Sequence, residues 1–168
     1  MFSDIDDATD RLLAAAARLT DDDVRQPSRL PGWTRGHVLT HLARGANALR
    51  NVLLDQPAYA SQESRDAGIT AGATRSAADL VADLASAAAA LRATAIALPA
   101  DQWQAEVTVP GLPPFPKSQV LLRRLVELEL HHVDLGIGYT GADWPKTFTE
   151  LDLPEPMHTQ RAERLAYS

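Results

Sequence analysis

The chain has 168 residues, a formal net charge of −6 and no cysteine, and these values exclude several classes of protein. The acidic balance and the lack of a Lys/Arg cluster argue against a nucleic-acid partner, and without cysteine neither a disulfide nor a thiolate zinc site can form. The sequence shows no secretory signal pattern and no run that we interpret as long and apolar enough to span a bilayer. We therefore expect a cytoplasmic, soluble protein with no membrane partner.

The composition favours packed helices within one domain. Hydrophobic residues make up 45% of the chain, aromatic residues only 5%, and alanine is abundant. Because alanine has the best intrinsic helix propensity and aromatic residues favour strands, these values are typical of an all-α protein. The length fits a single domain over residues 1–168.

Helical periodicity and capping residues predict four main helices. In chain order they cover about 4–19, then 34–54 with Thr34 as N-cap, 76–98 with Ser76 as N-cap, and 118–139 with Ser118 as N-cap. A short extra turn of helix is predicted over 20–26, and a last helical turn or two over 157–167. These elements predict a four-helix bundle, an architecture that often holds metal sites between facing helices.

The connections between the helices are long. Residues 57–75 are polar and rich in small side chains, and we interpret them as a loop. Residues 103–116 alternate weakly and then read GLPPFP, which predicts a short irregular or hairpin insert before the last main helix. Residues 141–156 also read as a loop. Inside the second helix, Gly36 and Gly45 each cost about 1 kcal/mol relative to alanine, so close helix approach or room for a ligand is expected there.

The last main helix carries the most informative pattern in the chain. Glu127 and His131 are four residues apart, which places a carboxylate and an imidazole one above the other on the same face. They lie in a polar strip between two apolar arcs, which favours an enclosed seam with two metal ligands. The alternative is a solvent-exposed face on which Arg123 or Arg124 pairs with Glu127. His132 points into the leucine arc, as expected for a core histidine.

The second helix supplies the other candidate ligand. His37 and His41 are also one turn apart. His41 lies in line with a stripe of small and apolar residues, so we prefer it as the inward ligand and place His37 at the surface or behind the ligands. Two histidines and one carboxylate suit zinc or another divalent first-row metal, with a position left for water or substrate. A closed structural site would need a fourth ligand, for which His37 or Asp134 is available.

Two stretches resemble a known family. LPGWTRGHVLTHLARGANAL and ELELHHVDLGIGYTGADWP are similar to the N-terminal domain of mycothiol-dependent maleylpyruvate isomerases, within the DinB-like metal-binding bundle superfamily. The resemblance implies a zinc site at His41, Glu127 and His131, and mycothiol as the thiol cosubstrate. It also implies a small electrophilic substrate, either isomerised from cis to trans by reversible thiol addition or joined to the thiol by S-transfer. Arg44 and Arg124 are candidates for a general acid or a substrate-carboxylate clamp.

Two departures from the family pattern leave a second function open. Many relatives carry asparagine where this chain has Gly45, and we expect the C-terminal domain of the full-length isomerases to be absent. These departures favour a non-catalytic metal-binding bundle that acts as an interaction or stress-response module. The retained set of three ligands favours an enzyme. For the oligomeric state, a homodimer is one option.

Overall fold

The computed structural model describes residues 1–167, and within them the chain forms eight α-helices and one small hairpin. The helices are α1 (Phe2–Ala16), α2 (Asp21–Arg25), α3 (Arg35–Leu53), α4 (Gln62–Gly72), α5 (Ala77–Ala97), α6 (Gln119–Asp134), α7 (Lys146–Thr149) and α8 (Met157–Leu165). Strands β1 (Glu106–Val107) and β2 (Phe115–Pro116) pair antiparallel. The long helices α1, α3, α5 and α6 pack together as a bundle. The predicted all-α bundle with a hairpin insert is therefore confirmed.

The buried core follows the apolar stripes of these four helices. On α5, Leu80, Leu84 and Leu91 are almost fully buried against α3 and α1. The predicted N-cap Ser76 accepts a hydrogen bond from the backbone N–H of Asp79 at 3.1 Å, which satisfies one of the unpaired donors at the start of α5. Local capping and burial of one face thus agree on where this helix lies.

The prediction of a loop over 57–75 is wrong, because α4 occupies most of that stretch. Its N-cap Ser61 accepts from the backbone N–H of Ser64 at 3.0 Å. Ile69 is the only buried residue of α4, so the sequence has almost no apolar period to indicate a helix. Close packing on α3 fixes it instead: a Cβ added at Gly72 would lie 2.5 Å from Cγ2 of Thr40.

Other helix ends also differ from the predictions. Helix α1 ends at Ala16 rather than near residue 19, and α6 ends at Asp134 rather than near residue 139. The chain leaves α6 through Gly136 and Gly138, whose φ angles of 64° and 101° are incompatible with a continuing helix. The predicted loop over 141–156 contains a 3₁₀ turn at 141–143 and the short helix α7.

The expectation that no run is long and apolar enough to span a bilayer is wrong for α5. By length and composition alone it could cross a membrane, with a mean hydropathy of 1.5 over an 18-residue window. Its many alanines, which hydropathy scales rate as apolar, add to the contribution of its leucine, valine and isoleucine residues. Because the leucine stripe of α5 packs in the bundle, its apolar character also serves the protein core.

Candidate metal centre

Three side chains from two helices converge at one point between α3 and α6. Nε2 of His41 lies 2.9 Å from Oε2 of Glu127 and 3.1 Å from Nε2 of His131, and the latter two atoms are 3.3 Å apart. The two imidazoles are 11% and 14% exposed, whereas the carboxylate is 38% exposed. We call these residues the open centre. The residues that the sequence singled out as ligands are therefore brought together, with one side open.

The start of α3 fixes where His41 points. Thr34 caps the helix: its Oγ1 accepts from the backbone N–H of His37, and Nδ1 of His37 in return accepts from the backbone N–H of Thr34 at 3.2 Å. Arg35 donates to the carbonyls of Leu135 and Gly136, just beyond the end of α6. The beginning of one helix is thereby tied to the end of the other, which sets His41 opposite His131. The ring of Trp33 packs on that of His41 with centroids 5.5 Å apart, as a wall beside the centre.

Asp134 holds His131 from behind. Oδ2 of this fully buried carboxylate lies 2.9 Å from Nδ1 of His131, so the ring donates its Nδ1–H to Asp134 and turns its Nε2 toward the centre. Arg164 of α8 donates to both oxygens of Asp134, at 3.2 and 3.1 Å. Asp134 thus does not supply a fourth ligand in this arrangement; it orients one.

The charges of the centre favour an ionised carboxylate. Burial acts to raise the pKa of Glu127, but the two neighbouring imidazoles outweigh it and hold the pKa well below its usual value. Burial also acts to lower the pKa of His131, yet the hydrogen bonds to Asp134 and Glu127 raise this pKa to about 9. For His41, burial outweighs the attraction of Glu127 and lowers the pKa. A proton on His131 therefore competes with any cation that approaches.

A cavity of about 330 Å³ borders the open centre. His41 and Glu127 form its floor, and Gly45 opens onto it, since a Cβ added there would meet no atom within 4 Å. Residues of the hairpin, of α4 and of α8 complete the walls. The remaining lining residues are Ala48, Leu49, Tyr59, Gln62, Arg65, Val109, Pro110, Gly111, Leu112, Phe115, Arg123, Val126, Pro156, Met157 and Gln160.

Other residues that the sequence singled out lie elsewhere. His37 serves the helix cap, and His132 is buried in the core against Tyr139. Arg44 packs across Gly68 of α4, facing a different pocket. Arg124 is fully buried, donates to the carbonyl of Leu42 at 2.9 Å, and faces a cavity between α1 and α5.

Sequence reasoning missed two arginines that do line the cavity. Arg65 of α4 lies with its NH2 group 3.2 Å from Nδ1 of His41. Arg123 lies over the ring of Phe115 at 3.9 Å. Arg123 stands four residues before Glu127, so the helical spacing places the two on the same face and indicates that Arg123 lies near the centre. Arg65 lies on α4, in the stretch 57–75 for which the sequence predicts a loop.

The fold and these residues define a helical bundle with a two-histidine, one-carboxylate centre. The model of the mycothiol maleylpyruvate isomerase N-terminal domain family matches residues 5–136, and the chain belongs to this family. None of the curated proteins compared with the chain matches it significantly.

Solved structures agree with this assignment. A crystal structure of a mycothiol-dependent maleylpyruvate isomerase superposes with a TM-score of 0.82 at 28% sequence identity, over 86% of this chain. The structure of a histidine-to-alanine mutant of such an isomerase gives a TM-score of 0.81 at 27% identity, also over 86% of this chain. The chain spans 63% of the length of each of these two proteins.

Proposed function

We propose that this chain is a zinc- and mycothiol-dependent enzyme of the cytoplasm that acts on a small electrophile, as a maleylpyruvate isomerase or a related mycothiol S-transferase. His41, Glu127 and His131 hold the metal in this proposal. The observation that carries it is the convergence of three potential ligand atoms within 4.8 Å of one another, two of which belong to His41 and Glu127 on the floor of a cavity. Membership of the isomerase N-terminal domain family supports the choice of thiol and of reaction class.

The donor set fits zinc. In a tetrahedral site with bonds of 2.0–2.2 Å, two ligand atoms are separated by about 3.3 Å. The three separations here are 2.9, 3.1 and 3.3 Å, so a metal at the common point needs only small movements of the side chains. Three protein ligands would leave a fourth position for water or a thiol, and the partly exposed carboxylate of Glu127 borders the cavity from which either could enter.

A bound zinc ion supplies Lewis acidity, which lowers the pKa of a thiol or water at its open position. Because the chain has no cysteine, thiol chemistry here requires a thiol from outside, which agrees with a mycothiol cosubstrate. The chain's own contribution is to orient the reactants and exclude water. Apolar walls from the hairpin, including Val109, Leu112 and Phe115, serve the second task.

Arg65 is our candidate for binding an anionic group of the substrate or the thiol. A guanidinium can only donate, so its contact with His41 requires a lone pair on Nδ1 and therefore the proton on Nε2. Coordination through Nε2 requires the opposite tautomer. We expect metal binding to turn the NH2 group of Arg65 away from His41 and leave it free to donate to a carboxylate in the cavity, while NH1 stays paired with Asp66.

The test is turnover by the zinc-loaded protein with mycothiol and maleylpyruvate, followed as formation of fumarylpyruvate. We expect a rate that requires both zinc and mycothiol and that is lost in Glu127→Gln. A second electrophile, reacted with mycothiol, tests S-transfer. Stoichiometric zinc without turnover of either substrate would instead support the non-catalytic module, which glycine at position 45, in place of the asparagine of many relatives, favours.

A further inference from the structure

The C-terminal helix α8 contacts the surroundings of the open centre, although it lies beyond residues 5–136 that define the family match. Pro156, Met157 and Gln160, at its start and first turns, line the cavity. Its last turn carries Arg164, which reaches the carboxylate behind His131. One helix thus borders both the open side and the rear of the centre.

Arg164 donates hydrogen bonds to Asp134 from two of its nitrogens. Nε donates to Oδ1 at 3.2 Å and NH2 donates to Oδ2 at 3.1 Å, so the planar guanidinium faces the planar carboxylate edge to edge. The Arg164 side chain is 12% exposed and the Asp134 side chain is completely buried. In such surroundings a fork of charge-assisted hydrogen bonds fixes orientation as well as position.

The orientation of Asp134 decides the orientation of His131. The same Oδ2 atom that accepts from Arg164 also accepts from Nδ1 of His131, at 2.9 Å. Asp134 is the last residue of α6, and the chain turns away at Gly136. Helical backbone therefore precedes Asp134 but does not follow it. Without the arginine the carboxylate can rotate about its Cβ–Cγ bond, and the imidazole is no longer held toward the common point.

We propose that Arg164 is a positioning residue of the metal centre, which holds Asp134 so that Nε2 of His131 faces the metal, and that α8 is therefore required for tight metal binding. The inference rests on the proposed zinc site. It assigns to a helix outside the matched family region a direct part in building that site.

The test compares zinc affinities, measured by competition with a chromophoric chelator, in the full-length protein. Loss of a residue that orients a metal ligand typically weakens binding by about 10- to 100-fold, and we expect a loss of this size in Arg164→Met. Arg164→Lys keeps the charge without the fork and should fall between Arg164→Met and the wild type. With cobalt(II) as probe, the visible absorption bands of Arg164→Met should shift, since the geometry of the ligand field changes.

Arg161→Met is the matched control. Arg161 lies on the same helix, and its substitution by methionine removes the same charge. Its side chain donates to the carbonyls of Phe148 and Leu151 rather than to a residue of the centre. We expect this control to lose stability to urea without losing zinc affinity or changing the cobalt spectrum.

The outcomes separate this inference from the proposed function. Equal zinc affinity in Arg164→Met and wild type, or equal losses in the Arg164 and Arg161 variants, would overturn the positioning role and leave the metal site intact. If Arg164→Met does not fold, Arg164→Lys decides: an affinity and a cobalt spectrum identical to wild type overturn the role. A wild type that binds no zinc overturns both proposals.

Discussion

His131 and His132 are neighbours on α6, yet they lie in opposite surroundings. His131 belongs to the open centre, where hydrogen bonds to Asp134 and Glu127 raise its pKa to about 9 against burial. His132 stacks on the ring of Tyr139 at 3.8 Å, and burial lowers its pKa to about 4. A single step of about 100° around the helix separates an imidazole beside carboxylates from an imidazole in the core.

Each histidine has a carboxylate nearby on the same helix, and the partners of these carboxylates differ. Glu129 accepts from Arg11 and from the hydroxyl of Tyr139, so its two oxygens are satisfied within the protein. Together with His132 these residues form what we call the closed network. In the open centre, Glu127 faces two imidazoles and a cavity. Burial and charge are common to both groups; what distinguishes the open centre is that several ligand atoms converge beside open space.

Removing the carboxylate of the open centre should have the largest effect. We expect Glu127→Gln to reduce bound zinc from about one ion per chain to nearly none, with affinity lower by more than about 100-fold, since a direct ligand matters more than its supporting residues. Elemental analysis after purification without chelator measures this. Full zinc content in Glu127→Gln would contradict the assignment of Glu127 as a ligand and of the open centre as the zinc site.

Removing the carboxylate of the closed network should lower the stability of the protein without changing its zinc content. Glu129→Gln leaves the charge of Arg11 without its carboxylate, and because the Arg11 side chain is about one-third exposed we expect a loss of about 2 kcal/mol in the free energy of unfolding, less than for a fully buried pair. Zinc content should stay at the wild-type value. Urea denaturation and elemental analysis of one preparation give both numbers, and a drop in zinc here would break the distinction.

The two histidines should also give the zinc-free protein opposite pH responses. The folded-state pKa of His131, about 9, lies above its ordinary value of 6.5, so its stabilising contribution is complete below pH 6.5 and is lost as pH rises toward 9. That of His132, about 4, lies below 6.5, so its contribution is complete above pH 6.5 and is lost as pH falls toward 4. We expect the urea midpoint, measured from pH 4 to 9 with a chelator present, to fall less on the acid side in His132→Phe than in the wild type. An unchanged acid limb would contradict this assignment.

The sequence predicted the parts of the site that depend on one helix at a time. The four-residue spacing of Glu127 and His131, and the capping role of Thr34, are local properties, and the structure has them as expected. The choice of His41 over His37 followed from the apolar stripe around it. Whether a metal occupies the centre stays a prediction.

The parts that depend on several elements could not be predicted in this way. Arg44 and Arg124, the candidates for a general acid or a substrate-carboxylate clamp, both point to neighbouring helices instead of the cavity. Arg65 lies on a helix held by packing rather than by its own apolar period. Arg164 acts through Asp134, thirty positions earlier in the chain, a distance that only the folded structure closes.

The smallest expected effect concerns two glycines of α3, Gly36 and Gly45. Like the two histidines of α6, they lie on one helix in opposite surroundings. Gly45 faces the cavity, where an added Cβ meets nothing within 4 Å, so Gly45→Ala should raise the free energy of unfolding by about 0.5–1 kcal/mol. At Gly36 a Cβ would lie 2.3 Å from the carbonyl oxygen of Ala73, and Gly36→Ala should destabilise the protein. Urea denaturation of the two variants decides the signs. If Gly45→Ala is also destabilising, the space at that position is needed for folding and cannot be assigned to a bound substrate.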